Sequence, residues 1–244
     1  MNQEQIKENI LKIKESIQDA EKKAGREAGS VRLCAVSKFH PAEAVEAALS
    51  SGQILFGENR VQEACRKFQT IRGRISSGES NLPEPELHII GALQSNKVKK
   101  AVEASSCIQS VDRIPLLYEI EKHASSFDKN ISVFLELHTA EDSKSGFADS
   151  DELKRAAELC STEIFPHIIL KGLMTMAPFT EDEKSVRKSF AALRESFAVL
   201  KTLFPELPLS DLSMGMSGDY KIAIEEGSTM VRIGTAIFGE REYK

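Results

Sequence analysis

The sequence predicts an α/β chain that closes into a single (β/α)8 barrel, with one extra helix at its amino end. Three observations carry that expectation. Eight apolar runs of strand length alternate with segments of helical periodicity along the 244 residues, the pattern of parallel strands joined by crossover helices. Most of these runs are continuous, as in strands buried on both faces. Eight is also the number of strands that closes a TIM barrel. An open doubly wound sheet is the competing architecture.

In chain order, Ile6, Ile10, Ile13 and Ile17 recur at helical spacing and predict a leading helix over 3–24 that stops at Gly25. Strands are expected at 31–37, 54–58, 87–93, 107–111, 132–138, 167–174, 211–215 and 230–238. Helices are expected at 42–50, 60–72, 96–104, 113–126, 150–162, 182–203 and 219–225. The stretch from Gly73 to Pro85, rich in Ser, Gly, Glu and Pro, predicts a surface loop. The expectation is one domain over 1–244, made of a leading helix (1–25) and a barrel (31–239).

A net charge of -5 argues against a nucleic-acid protein, whose footprint is a strongly basic face. The four cysteines (34, 65, 107, 160) form no CxxC pair and share no metal-ligand spacing with the five histidines. They predict buried free thiols and no metal site. The first 25 residues are rich in Lys and Glu and lack the apolar core of a signal peptide. No stretch reaches the roughly 20 apolar residues of a membrane span. A cytoplasmic protein is expected.

Lys38 is the residue with the most chemistry to offer. It follows Val31-Arg32-Leu33-Cys34-Ala35-Val36 and Ser37, at the carboxyl end of a buried parallel strand. A lysine there is partly withdrawn from water, which favours the neutral, nucleophilic amine of a Schiff-base lysine. The ordinary alternative is a strand-end lysine reaching solvent.

Barrel sites lie at the carboxyl ends of strands, with phosphate held after strands 7 and 8. Strand 7 leads into Met214-Gly215-Met216-Ser217-Gly218-Asp219-Tyr220, and strand 8 contains Arg232-Ile233-Gly234-Thr235. Small residues let backbone amides approach an anion, and hydroxyls add donors. A turn with a helix cap at Asp219 is the plainer reading of the first loop. Arg232, inside an apolar strand, requires a carboxylate or a ligand. Asn59 either caps the helix after strand 2 or reaches a ligand. Ser95 or Asn96 is a natural cap for the helix after strand 3. His88 reads as structural. Lys144, in the loop after strand 5, reads as a solvated lysine or as one that takes an aldehyde transiently.

One cofactor accounts for a nucleophilic lysine, a phosphate cup and an arginine on one barrel face. Pyridoxal 5′-phosphate brings an aldehyde to Lys38 (a covalent aldimine), a phosphate to the strand 7 and 8 loops, and a ring nitrogen to Arg232. Arginine does not give up its proton, so it would hold that nitrogen unprotonated and weaken the ring as an electron sink.

AVSK (35–38), FGENRVQE (56–63), GALQSNK (91–97), SKSG (143–146), GLMTMAP (172–178) and the run SMGMSGDYKIAIEEGSTMVRIGTAIFGER (213–241) resemble the YggS/PROSC family of pyridoxal phosphate homeostasis proteins. The resemblance covers residue 31 to the end. It implies a single-domain barrel similar to the barrel domain of bacterial alanine racemase. It implies the cofactor on Lys38, Arg232 toward the ring nitrogen, and phosphate contacts from Ser217, Gly218, Gly234 and Thr235, with Asn59 near the ring. It also implies buffering or delivery of the cofactor, without established turnover. Leu87 replaces an aromatic usual in the family before His88, and His138 replaces an asparagine often found where strand 5 ends.

Two rivals keep different chemistry. A racemase needs a second base opposite Lys38, which the resembled racemases take from an added β-domain. Of Tyr118, Tyr220 and Tyr243, only Tyr220 is expected near the mouth. A cofactor-free Schiff-base aldolase would use the cup for a sugar phosphate. The favoured reading is a cofactor carrier with no efficient activity, which partners pyridoxal phosphate and its dependent apo-enzymes and works as a monomer.

Overall fold

The structure, a computed structural model, describes residues 2–139 and 145–239. Its strands are β1 (Arg32–Val36), β2 (Leu55–Glu58), β3 (Glu86–Ile89), β4 (Cys107–Val111), β5 (Ile131–Glu136), β6 (Ile168–Met174), β7 (Asp211–Ser213) and β8 (Met230–Ile233). All neighbours pair in parallel, and β8 returns to β1 to close the barrel in sequence order. The helices are α1 (Gln3–Lys23), α2 (Ala42–Ser50), α3 (Val61–Ser76), α4 (Val98–Ala104), α5 (Ile114–Ser126), α6 (Ser150–Cys160), α7 (Glu183–Leu203), α8 (Tyr220–Glu225) and α9 (Thr235–Phe238).

The apolar runs are explained by two layers of burial. One large cluster fills the space between the strands and the surrounding helices. A smaller one, Cys34, Leu55, Cys107, Phe134, Met174 and Met230, fills the barrel's interior. Cys34, Cys107 and Cys160 are buried, Cys65 is half-buried, and all four are free thiols.

Helix α1 spans the seam where β8 meets β1. Asn2 caps it by accepting from Gln5 N at 2.8 Å. It ends at Gly25 in a left-handed conformation, with Arg26 N donating to Glu21 O at 2.8 Å, the Schellman arrangement. The buried Glu21 carboxylate then accepts from Gly29 N, Ser30 Oγ and Val31 N, fixing the entry into β1.

Three boundary expectations are corrected. Helix α3 continues through Gly73 to Ser76, because an amphipathic stripe of Val61, Ala64, Phe68 and Ile71 is already packed when the glycine is reached. The loop starts only after it. Strand β8 ends at Ile233 rather than near Phe238, and Thr235–Phe238 turns into α9. The helix after strand 3 begins as a 3-10 turn at Ser95–Lys97, so neither Ser95 nor Asn96 caps it. Among the described residues, no helix is long and apolar enough to cross a membrane.

Candidate functional site at the carboxyl mouth

Ser37 is buried at the end of β1, and half-buried Lys38 follows it in a turn. Phe39 then takes φ +67. A left-handed backbone at a bulky residue costs about 1–3 kcal/mol and persists only where its surroundings over-determine it. They do so here. Phe39 N donates to Glu63 Oε1 at 2.7 Å, Arg60 sits 4.9 Å from the centre of its ring, and His40 N donates to Ser37 O at 3.1 Å. The turn that presents Lys38 is thus held from both sides.

A buried ionic cluster lies behind that turn. Lys67 Nζ, on α3, donates to Ser37 O at 2.7 Å, to Glu58 Oε1 at 2.7 Å and to Glu63 Oε1 at 3.2 Å. Ser37 Oγ donates to the same Glu58 oxygen at 2.7 Å. Glu58 is fully buried, and its other oxygen has no hydrogen-bond partner among the described residues. Burial pushes the Glu58 carboxyl above its ordinary pKa, against the pull of Lys67. The cluster clamps β1, β2 and α3 around the lysine. Sequence reasoning did not single out Glu58, Glu63 and Lys67. The available signal was Lys67 beside the apolar stripe of α3, four residues after Glu63.

Arg232 is 4% exposed on β8. Its Nη1 donates to Ser213 O and Ser213 Oγ, both at 2.7 Å, and its Nη2 to Thr175 O at 2.7 Å. Of the two partners expected, a carboxylate or a ligand, no carboxylate is bonded to it among the described residues; carbonyls and a hydroxyl hold it. This fixes both Nη atoms and, among the described residues, leaves the positive charge without a contacting carboxylate. Behind it runs a polar chain through the barrel. Ser213 Oγ donates to Gln109 Oε1 at 2.6 Å, and Gln109 Nε2 meets His88 Nδ1 at 2.7 Å. His88 Nε2 lies 2.9 Å from Glu86 Oε1. Burial lowers the His88 pKa, which keeps the ring neutral; its structural reading agrees with these contacts.

After β7, Gly215 adopts φ +96, and a Cβ there would sit 2.6 Å from Ala223 Cβ. Ser217 and Gly218 form an exposed turn, and Asp219 Oδ1 accepts from Met216 N. Asp219 stands at the amino end of α8 without a side-chain cap bond into it. On β8, Gly234 packs on β1: a Cβ there would lie 3.1 Å from Val36 O. Among the described residues, the amides of Ser217, Gly218, Gly234 and Thr235 donate to no backbone carbonyl. Barrel closure sets these unspent donors beside the end of β1.

Asn59 is half-buried at the end of β2. It does not cap α3, whose cap position is Arg60. Gly91 fixes its backbone, because a Cβ at 91 would fall 2.7 Å from Asn59 Cα. Tyr220 is corrected in its placement. Its hydroxyl pairs with Ser16 Oγ on α1 at 2.8 Å, outside the barrel. Tyr118 lies on α5 against Phe165. Leu87 is fully buried in the packing core, and His138 N donates to Phe147 O at 3.0 Å. Lys144 and Tyr243 lie outside the described residues.

The carboxyl mouth therefore gathers an amine, a buried guanidinium and four unspent amides. The donor set fits a phosphorylated aldehyde with a ring acceptor. A protein of Pasteurella multocida named pyridoxal phosphate homeostasis protein is 38% identical over 239 residues, 98% of each chain. The chain belongs to the pyridoxal phosphate homeostasis protein family. The family model for the alanine racemase N-terminal domain matches residues 2–242. PipY of Synechococcus elongatus, solved with PLP bound, superposes with a TM-score of 0.81 at 34% identity, over 96% of this chain and 100% of that one. Alanine racemase from Corynebacterium glutamicum shares the fold, with a TM-score of 0.69 and 17% identity, but this chain covers only 62% of it.

Proposed function

We propose that this chain binds pyridoxal 5′-phosphate at the carboxyl mouth and serves homeostasis of the cofactor, holding and releasing it without efficient catalysis. The observation that carries this reading is the juxtaposition of Lys38, on its clamped turn, with Arg232 and the unspent amides of β7 and β8. The PLP-bound homologue supports the ligand. When bound, the cofactor supplies an aldehyde and an electron-accepting ring.

The chain's residues divide the work. Lys38 would hold the cofactor through its amine, the group suited to an aldehyde. The amides of Ser217, Gly218, Gly234 and Thr235 hold the phosphate, assisted by the Ser217 and Thr235 hydroxyls. Arg232 would donate toward the ring nitrogen and, because arginine does not give up its proton, would keep that nitrogen unprotonated. Asn59, its backbone positioned by Gly91, would stand beside the ring. Among the described residues no tyrosine stands as a second base opposite Lys38, because Tyr220 is engaged with Ser16; this supports a carrier over a racemase. We further propose that the chain is one domain, acts as a cytoplasmic monomer, and hands the cofactor to dependent apo-enzymes.

The test is absorbance and transfer. The purified protein should be yellow, or turn yellow with added pyridoxal phosphate, and should load a defined apo-enzyme differently from free cofactor at equal concentration. A protein that stays colourless overturns the binding. A loading rate identical to that of free cofactor overturns the carrier role. Exchange of an amino acid's α-hydrogen at ordinary enzyme rates would install the racemase in its place.

A further inference from the structure

The opposite, amino-terminal mouth of the barrel contains a separate cavity of about 290 Å³, at the start of strands β1, β3, β4, β5 and β7. At the ~30 Å³ that one water occupies in the liquid, it has room for a molecule of about ten waters. Its floor includes Phe134 and Cys107, and its wall carries Ser132, Lys171 and Asp211.

A local irregularity brings Lys171 there. Along the β5–β6 ladder, Val133 pairs with Leu170 and Phe134 with Gly172, so Lys171 is the extra, unmatched residue of a β-bulge. Bulges re-aim side chains and cluster beside functional sites. Close approach of β7 completes the feature: a Cβ at position 172 would fall 2.0 Å from Asp211 O, so only glycine fits. The chain departs from regular pairing where it puts Lys171 on the cavity wall.

The charges there are uncommitted. Lys171 is half-buried, and its ammonium has no hydrogen bond or ion pair among the described residues. Asp211, on the neighbouring strand, has no cation bonded to it among them either. It accepts only from hydroxyls, Ser210 Oγ at 2.6 Å and Thr229 Oγ1 at 3.4 Å. The other charged pair on the rim is self-sufficient, with Arg32 Nη2 on Glu86 Oε2 at 2.6 Å. Among the described residues, a cation and an anion therefore face one small cavity without pairing with each other. A ligand carrying a single charge would satisfy one and repel the other. A zwitterion satisfies both.

We propose that this cavity binds a small free α-amino acid, its carboxylate toward Lys171 and Ser132 and its ammonium toward Asp211. Phe134 and Cys107 offer its side chain an apolar surface. This site lies at the end of the barrel opposite Lys38.

Titration calorimetry on the full chain, with L-alanine, propionate and ethylamine as probes, tests it. The expected result is heat with alanine, and at least about tenfold weaker binding of the two single-charge probes, as for loss of a charge-assisted hydrogen bond. Lys171→Met and Asp211→Asn should each weaken alanine by a similar factor, while Lys171→Arg retains it. Alanine reacting at the other mouth would bind Lys171→Met unchanged, and that result overturns the proposal. So does equal binding of propionate, or absence of heat. Should Lys171→Met fail to fold, unchanged alanine binding by Asp211→Asn overturns the proposal in its place.

Discussion

The two mouths of this barrel are built from different materials. At the carboxyl mouth the uncommitted donors are largely backbone: the amides of Ser217, Gly218, Gly234 and Thr235, beside an arginine held by carbonyls. At the amino mouth the charged groups without an ion pair among the described residues are side chains, with Lys171 and Asp211 lining one cavity and Arg32 bonded to Glu86. Backbone donors suit an anion whose charge spreads over several oxygens. Opposed side-chain charges suit a small zwitterion. The polar chain Ser213, Gln109, His88 joins the two ends through the barrel's interior, so one fold carries two chemically distinct mouths with a common spine.

Substitutions should separate the ends. Lys38→Ala should abolish covalent retention of the cofactor, measured as loss of the yellow absorbance after gel filtration. Lys171→Met should leave that absorbance intact; a matching loss in both variants would erase the distinction between the mouths. Removing the clamp acts next. Glu58→Ala leaves Lys67 charged and buried without its closest carboxylate, a change expected to cost about 3–5 kcal/mol in urea denaturation. Gly91→Ala drives a methyl group into the Asn59 backbone and should cost about 1–3 kcal/mol, with weaker cofactor binding as its signature.

The smallest effect is a pH dependence. The His88 pKa is lower in the folded chain than in the unfolded one. The unfolded state therefore binds the extra proton first, and stability falls as pH drops below about 6.5, the unfolded value. A His88→Gln chain lacks this loss, so the difference in Tm between it and the parent should change in its favour as pH falls. Glu58 runs the other way. Its raised carboxyl pKa makes its contribution increase on acidification through the range above the ordinary carboxylate value. The comparison with His88→Gln isolates the histidine from it.

Much of this was legible from the chain alone. Continuous apolar runs gave the eight strands because a parallel barrel buries both faces of its sheet. Lys38 was visible because a lysine ending such a run is chemically unusual, and the strand 7 and 8 loops because glycine with serine or threonine marks backbone approach. The clamp was not. Glu58 ends β2 while Glu63 and Lys67 lie on α3, and only the packing of α3 on β2 makes them one cluster. Arg232's partners were also hidden, because carbonyl acceptors carry no sequence signature. Tyr220 follows the same rule: its position after β7 suggested the mouth, but the turn of α8 aims its hydroxyl at α1. The bulge at Lys171 has no local pattern at all, since a register shift is a property of two strands.

The covalent anchor is the central claim. Borohydride reduction of the loaded protein, followed by peptide mass mapping, tests it most directly. The reduced cofactor mass should appear on the peptide containing Lys38 and disappear from the Lys38→Ala chain. A map that places the mass on another lysine, or on none, contradicts the account.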